Sequence, residues 1–454
     1  MNDRLNDAFS VRGPVLFIAL AALFLGIFAK ISYVMLWTGQ EGDLADIPRS
    51  TNQRPEPPRG KILDAQGNLL ATSVQRASLV ANPMRIDKDE GWSLAKKLAG
   101  VLDQSPEALY KKLTKDRRFV WMARKLPEDK RKQLESLEHS ALRFQPEYER
   151  VYPQGRMAAS VLGFSGMDNQ GLAGIEKQFD GVLSNADPEG IKQPVQASSQ
   201  SRDARGDVFV QLTLDQTIQH IVEEELSRVV QREKPDNAMV VAMEPETGRI
   251  RALVNWPRYD PNQYRRFEDE RRKNRILSSE YEPGSTLKPV TLAIGLSEGA
   301  FDPSSQFNCD GYVYLPQAKH TIHCHAEHGE LTIPEILIQS CNVGVVKAAQ
   351  KLDGRTYYRA LRDFGFGTWS GVQLPGEAEG TLRRPTKWSA MTKPSMAIGQ
   401  GVSATPLQVT NAISVLVNGG VLLKPRIVES VRRPGRPAER VEPFTVRRVV
   451  PESI

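Results

Sequence analysis

Tyr281-Glu282-Pro283-Gly284-Ser285-Thr286-Leu287-Lys288-Pro289 is the stretch on which the reading of this chain turns. Pro283-Gly284 interrupts whatever precedes it, so a helix starting there places Ser285 in its first turn and Lys288, three residues on, on the same face. A serine hydroxyl is a weak nucleophile until a base takes its proton, and a lysine desolvated in a cleft is neutral enough to serve. Backbone N–H groups at a helix start also stabilise a developing oxyanion. The Ser-x-x-Lys spacing alone says little. Ser93-Leu94-Ala95-Lys96 has it too, inside a charged helical stretch with no Pro-Gly ahead, and reads as a solvated helix face.

Downstream by 55 residues, Ser340-Cys341-Asn342-Val343-Gly344 supplies Ser-x-Asn, a pattern that Ser50-Thr51-Asn52 repeats in a proline-rich stretch. Gly399-Gln400-Gly401 follows, ahead of Ser403-Ala404-Thr405-Pro406-Leu407-Gln408. The order and flanks of the three carry the signal.

The N-terminus sets the class. Gly13 to Ala29 carries no charge, and past a single Lys30 the apolar stretch runs to Trp37, 25 residues in all. As a helix that is about 37 Å, enough to cross a hydrocarbon core of about 30 Å, with Lys30 snorkelling and Tyr33 and Trp37 at the interface. A cleaved signal peptide has a shorter apolar region, so an uncleaved anchor is expected. Arg4 and Arg12 on one side against Arg49 and Arg54 on the other leave its orientation open. Thr38 to Pro58 holds four prolines and reads as a stiff spacer.

With 454 residues, 40% of them hydrophobic, the chain has material for two or more cores. Its net charge of +6 comes from basic residues scattered among acidic ones, which speaks against nucleic-acid binding. Arg59 to Ser73 reads as a hairpin, two apolar runs around Gln66-Gly67-Asn68. Residues 86–144 read as mainly helical, and 188–205 as a polar loop. Gln216 to Val230 reads as a helix with Ile218, Val222 and Leu226 on its apolar face. A second domain begins near Asn237, where Ala238–Met243 and Ile250–Trp256 flank the turn Pro245–Gly248 as paired strands, with helices to pack on them.

In this order and setting the motifs resemble the class B penicillin-binding proteins, whose signatures are Ser-x-x-Lys, Ser-x-Asn and Lys-Thr-Gly. Arg59-Gly60 with Asp64, Arg150 with Tyr152-Pro153, and Gly174-Ile175-Glu176 resemble that family's non-catalytic pedestal. The resemblance implies an α+β chain: cytoplasmic tail 1–12, transmembrane helix 13–37, spacer 38–58, pedestal 59–236 and transpeptidase domain 237–454. It implies Ser285 as acylated nucleophile, Lys288 as its base, and Ser340 with Asn342 relaying protons and positioning the peptide. The implied partners are stem peptides ending in D-Ala-D-Ala, β-lactams, the lipid bilayer, and a membrane-embedded glycan polymerase with other division proteins. It implies an inner-membrane protein with a periplasmic catalytic domain, and no cofactor or catalytic metal. The compact pedestal favours a division role over elongation. A penicillin sensor, a β-lactamase and a non-enzymatic scaffold are the rival readings.

Neither Lys-Ser-Gly nor Lys-Thr-Gly occurs in the sequence. The resemblance therefore implies a chain shortened before the third motif and weak or inactive in catalysis. Four of six histidines (His320, His323, His325, His328) and all three cysteines (Cys309, Cys324, Cys341) fall between 309 and 341. A Cys309–Cys324 disulfide, worth about 3 kcal/mol, a zinc site, and a plain surface loop all remain open for them.

Overall fold

A computed structural model describes residues 57–184 and 208–454, together with positions 22, 24–26 and 30. Residues 1–55 form a unit of their own. The predicted tail, most of the predicted span and the loop 188–205 lie outside the described residues, as does the spacer but for Pro57 and Pro58. Ala22, Phe24, Leu25, Gly26 and Lys30 are helical. Among the described residues no helix is long and apolar enough to cross a membrane.

Residues 56–454 make a second unit. It opens with the predicted hairpin: β1 (Lys61–Leu63) pairs antiparallel with β2 (Leu69–Ala81), Leu63 opposite Leu69. The Asp64 carboxylate closes the turn by accepting from the backbone N–H groups of Gln66 and Asn68 at 2.9 and 2.7 Å. Helices α1 (Lys88–Leu102) and α2 (Pro106–Leu113) follow, the second capped by Ser105, whose side chain accepts from Ala108 N. Between them and α3 (Glu128–Glu135) lies β3 (Val120–Leu126), a strand inside the stretch expected to be mainly helical. Its run of Val120-Trp121-Met122 suits a pleated surface, and pairing with β2 overrides the helix-favouring Arg124-Lys125-Leu126 that follows. Leu79, Leu94, Leu98, Leu109, Met122 and Leu134 close the core of this layer. On the other edge of β2, β4 (Leu142–Val151) pairs from Thr72↔Val151 to Ala81↔Leu142.

The pedestal motifs converge on one buried knot of charge. Glu176 is fully buried and takes Arg59 Nε on one carboxylate oxygen at 2.5 Å and Arg150 Nε on the other at 2.6 Å. The Tyr152 hydroxyl donates to the same carboxylate at 3.2 Å, and Arg59 reaches Asp180 at 2.6 Å. Three sequence clusters scattered from 59 to 176 thus meet, because a buried arginine needs an acid partner and Glu176 serves both.

Strands from both sides of residues 236/237 share one sheet. Strand β5 (Phe209–Leu212) runs parallel to β1. Helix α4 (Gln216–Glu233) is capped by Asp215, which accepts from Thr217 N and Ile218 N. Its buried face is Gln219, Glu223, Leu226 and Val230, whereas Ile218 is exposed; the apolar spacing misplaced the face because two polar residues are buried with partners. Gln219 bonds Leu253 through both amide atoms, and Glu223 takes Arg258 at 2.8 Å. Strands β6 (Ala238–Met243) and β7 (Ile250–Trp256) form the predicted antiparallel hairpin, a two-stranded sheet among the described residues.

The C-terminal half supplies α5 (Lys288–Ser297), β8 (Phe307–Cys309), β9 (Tyr312–Leu315), β10 (His320–His323), β11 (Gly329–Leu331), α6 (Ile333–Ile338), α7 (Asn342–Gln350), α8 (Gly354–Asp363), α9 (Thr392–Ala397) and α10 (Pro406–Val417). After them come β12 (Val421–Leu423) and β13 (Val428–Arg432), the latter antiparallel to β5. Strand β13 thereby joins the seven-stranded sheet of the pedestal, and Ile62, Val210, Leu253, Ile276, Leu407 and Val428 share one core across the border. Helix α5 is apolar nearly all round and buried from Val290 to Gly295, against Tyr357 and Leu361 of α8 and Val409 and Ala412 of α10.

Candidate active site

Ser285 sits in a 3₁₀ turn, Gly284–Leu287, that feeds directly into α5. Gly284 has a φ of +60°, a conformation glycine adopts freely. The turn is clamped by the segment Gly399-Gln400-Gly401. Gly284 N donates to Gly399 O at 2.9 Å, and Gly401 N donates to the Glu282 carboxylate at 2.7 Å. The backbones approach so closely that a Cβ on Gly399 would stand 1.9 Å from the Gly284 carbonyl oxygen. Tyr281 and Ala404 complete the clamp with reciprocal backbone bonds of 3.0 Å. Glu282 and Gly399 were quoted in the sequence only as flanks; their role in holding the turn depends on a contact over more than a hundred residues.

Ser285 is exposed, while Lys288, one turn later, is 2% exposed. Its Nζ donates to Ser340 Oγ at 3.0 Å and to the Ser340 carbonyl oxygen. Burial pulls the Lys288 ammonium below the usual lysine range, opposed by the nearby Cys324 and Cys341 sulfurs.

Ser340 owes its position to how α6 ends. Cys341 N donates to Ile336 O at 2.9 Å and Ser340 N to Leu337 O at 3.1 Å, the paired bonds of a Schellman cap. The residue at the bend is left-handed and is usually glycine; here it is Ser340, with φ +48°. Cys341 then caps α7, its sulfur accepting from Gly344 N at 3.2 Å. Asn342 opens α7, and its side-chain amide donates to His323 O at the end of β10, 3.1 Å away.

The structure thus brings Lys288 and Ser340 into contact, places exposed Ser285 on the turn before Lys288, and ties Asn342 to β10. The second Ser-x-x-Lys does otherwise. Ser93 and Lys96 are both exposed on α1, the ammonium 5.6 Å from the Trp92 ring centroid. Ser50–Asn52 lies outside the described residues. Two cavities of about 340 and 490 Å³ lie elsewhere, the first lined by residues such as Arg150 and Tyr264, the second by Phe164 and Leu374; none of the four motif residues lines either.

All three cysteines are free thiols, so the disulfide considered for Cys309 and Cys324 is not formed. They are not a plain surface loop either, since Cys309 and Cys341 are buried.

Comparison with known proteins agrees with this architecture. Residues 238–453 match the penicillin binding protein transpeptidase domain, and residues 54–200 the penicillin-binding protein dimerisation domain. Stage V sporulation protein D of Bacillus subtilis is 32% identical over 460 aligned residues, 98% of this chain and 69% of the relative. Peptidoglycan D,D-transpeptidase FtsI of Escherichia coli is 29% identical, covering 90% of this chain and 70% of its own. The crystal structure of penicillin binding protein 3 from Mycobacterium tuberculosis complexed with aztreonam superposes with a TM-score of 0.64 at 26% identity, over 88% of this chain and 72% of that one. By sequence, domain content and fold, this chain belongs to the penicillin-binding proteins that pair a dimerisation domain with a transpeptidase domain.

Proposed function

We propose that the chain is a peptidoglycan D,D-transpeptidase of the division type, cross-linking stem peptides through an acyl-enzyme on Ser285. The observation that carries this is the 3.0 Å hydrogen bond from the buried Lys288 to Ser340, with Ser285 exposed one turn before Lys288. Neutral Lys288 takes the Ser285 proton as Oγ attacks the carbonyl of the penultimate D-Ala. The peptide bond breaks, and Ser340, already hydrogen-bonded to Lys288, passes a proton to the departing D-Ala amine. The amine of a neighbouring stem then attacks the ester and releases Ser285. A β-lactam enters the same first step and stays attached. Asn342, fixed to β10 through His323, orients the peptide. The relative named FtsI favours septal wall synthesis, with the apolar stretch 13–37 as inner-membrane anchor, the catalytic half in the periplasm, and a membrane-embedded glycan polymerase as partner.

In this family the strand bearing Lys-Thr-Gly adds a cation and part of the oxyanion site, and no such motif occurs in these 454 residues. Loss of a single oxyanion donor costs about 10²- to 10³-fold in rate. The 454-residue polypeptide should therefore be acylated by a fluorescent penicillin at least about 10²-fold more slowly than a class B enzyme that has the motif. Peptide mapping should place the adduct on Ser285, and Ser285→Ala should abolish it. An adduct elsewhere, no adduct under prolonged excess, or labelling indifferent to Ser285→Ala overturns the assignment; a rate equal to that of an enzyme carrying Lys-Thr-Gly overturns the role given to that motif.

A further inference from the structure

Four side chains from four places in the sequence meet beside the Ser-x-Asn segment. Cys309 ends β8, Cys324 follows β10, His328 precedes β11, and Cys341 caps α7. Their ligand atoms all lie within 4.8 Å of one another. Cys309 Sγ is 3.4 Å and Cys324 Sγ 3.7 Å from His328 Nδ1, and Cys324 Sγ is 3.8 Å from Cys341 Sγ. A tetrahedral zinc ion with Zn–S of about 2.3 Å and Zn–N of about 2.0–2.1 Å spaces its ligands at about 3.8 Å for S···S and about 3.6 Å for S···N. A disulfide needs about 2.05 Å. The observed spacings are those of a coordination shell.

The surroundings suit thiolates. Gly344 N donates to Cys341 Sγ at 3.2 Å, and Asn342 N to Cys324 Sγ at 3.4 Å. Cys309 and Cys341 are buried and Cys324 and His328 are partly so, which matches a closed structural site rather than one with an open position for water. The ligands come from three short strand ends and one helix cap. His325 is the nearest alternative ligand, with Nδ1 3.9 Å from Cys324 Sγ and its ring 4.8 Å from that of His328.

We propose that Cys309, Cys324, His328 and Cys341 form a structural Zn²⁺ site. Three thiols release their protons on loading and neutral His328 gives its lone pair through Nδ1, so that the ion joins β8, β10 and β11 to the start of α7. Because Cys341 lies between Ser340 and Asn342, the ion also fixes the segment that meets Lys288. That consequence rests on the transpeptidase reading; metal binding does not.

The test is metal content of the full 454-residue chain purified without chelator, with Zn²⁺ or Co²⁺ as the only probe. Expected are one zinc per chain, three cysteines unreactive to a thiol reagent until a chelator is added, and, after Co²⁺ exchange, the intense visible absorption of a tetrahedral thiolate site. Cys324→Ser and His328→Ala should lose that absorption, while His325→Ala keeps it. Chelation should raise hydrogen exchange at residues 340–344, whether or not Ser285 reacts with penicillin. Zinc-free protein with reactive thiols, a disulfide between any two of the cysteines after non-reducing purification, or retention of the cobalt spectrum in His328→Ala would overturn the proposal.

Discussion

Replacing Glu176 by alanine tests the buried charge knot of the pedestal. The carboxylate is fully buried and is the sole ion-pair partner seen for Arg150 among the described residues, while Arg59 would retain Asp180. After Glu176→Ala the Arg150 guanidinium keeps only carbonyl acceptors, Gly60 O at 2.7 Å and Arg59 O at 3.3 Å, and the Tyr152 hydroxyl loses its acceptor. Breaking a buried pair by removing one partner costs about 3–5 kcal/mol, because the surviving charge stays desolvated. Global denaturation is a poor gauge in a chain of this size, where two-state behaviour is not expected. Amide hydrogen exchange reads the region directly, at Gly60, Ser165 and Gly171, whose N–H groups bond Leu183 O, Tyr152 Oη and Asp180 Oδ1. Protection there should fall between about 140- and 3,700-fold, tenfold for each 1.4 kcal/mol. Adding Arg150→Met should recover part of the loss, since both ends of one pair are then gone. A fall of less than tenfold in Glu176→Ala, or a double variant as weak as the sum of the singles, would refute the claim that the pairing, and not the surrounding packing, holds these segments together.

Substitutions at two further positions probe the Ser285 surroundings. Ser340→Gly and Ser340→Ala both remove the hydroxyl that Lys288 contacts, but at φ +48° the glycine variant should hold the helix end about 1 kcal/mol more firmly, read as slower amide exchange at Cys341; equal exchange would remove the backbone argument. Gly399→Ala should destabilise the clamp by about 2–4 kcal/mol, read as faster amide exchange at Gly284 and Gly401, since its Cβ would stand 1.9 Å from Gly284 O at a φ of +77°. A change within about 0.5 kcal/mol would show that the clamp gives way easily.

What was legible in the sequence was local chemistry. Pro283-Gly284 announced the turn bearing Ser285, and Gln66-Gly67-Asn68 announced the β1–β2 hairpin, because both are decided by a few consecutive residues. The pedestal motifs were visible as clusters, yet nothing in them told that Arg59 and Arg150 would share one carboxylate 117 and 26 residues away. Ser340 gave no hint of its left-handed backbone, since serine is not the residue that normally marks such a cap. The face of α4 was misplaced because Gln219 and Glu223 look solvent-bound until Leu253 and Arg258 are seen to satisfy them. The crowding of Cys and His between 309 and 341 was plain, but not that Cys309, Cys324, His328 and Cys341 would bring their ligand atoms within 4.8 Å of one another.

The pairing of β13 with β5 bears on how such chains exchange parts. Val428, Val431 and Arg432 meet Leu212, Val210 and Phe209 through main-chain bonds, and Thr213 Oγ1 donates to two carbonyls, those of Ile250 and Arg426. A chimaera spliced at 236/237 would lay a foreign strand into a resident sheet. Its ladder could survive, because peptide groups are the same in every homologue; the side chains around Val428 and Val210 would have to be recruited together. Recombination that respects this seam should carry residues near 210 and near 430 from one parent.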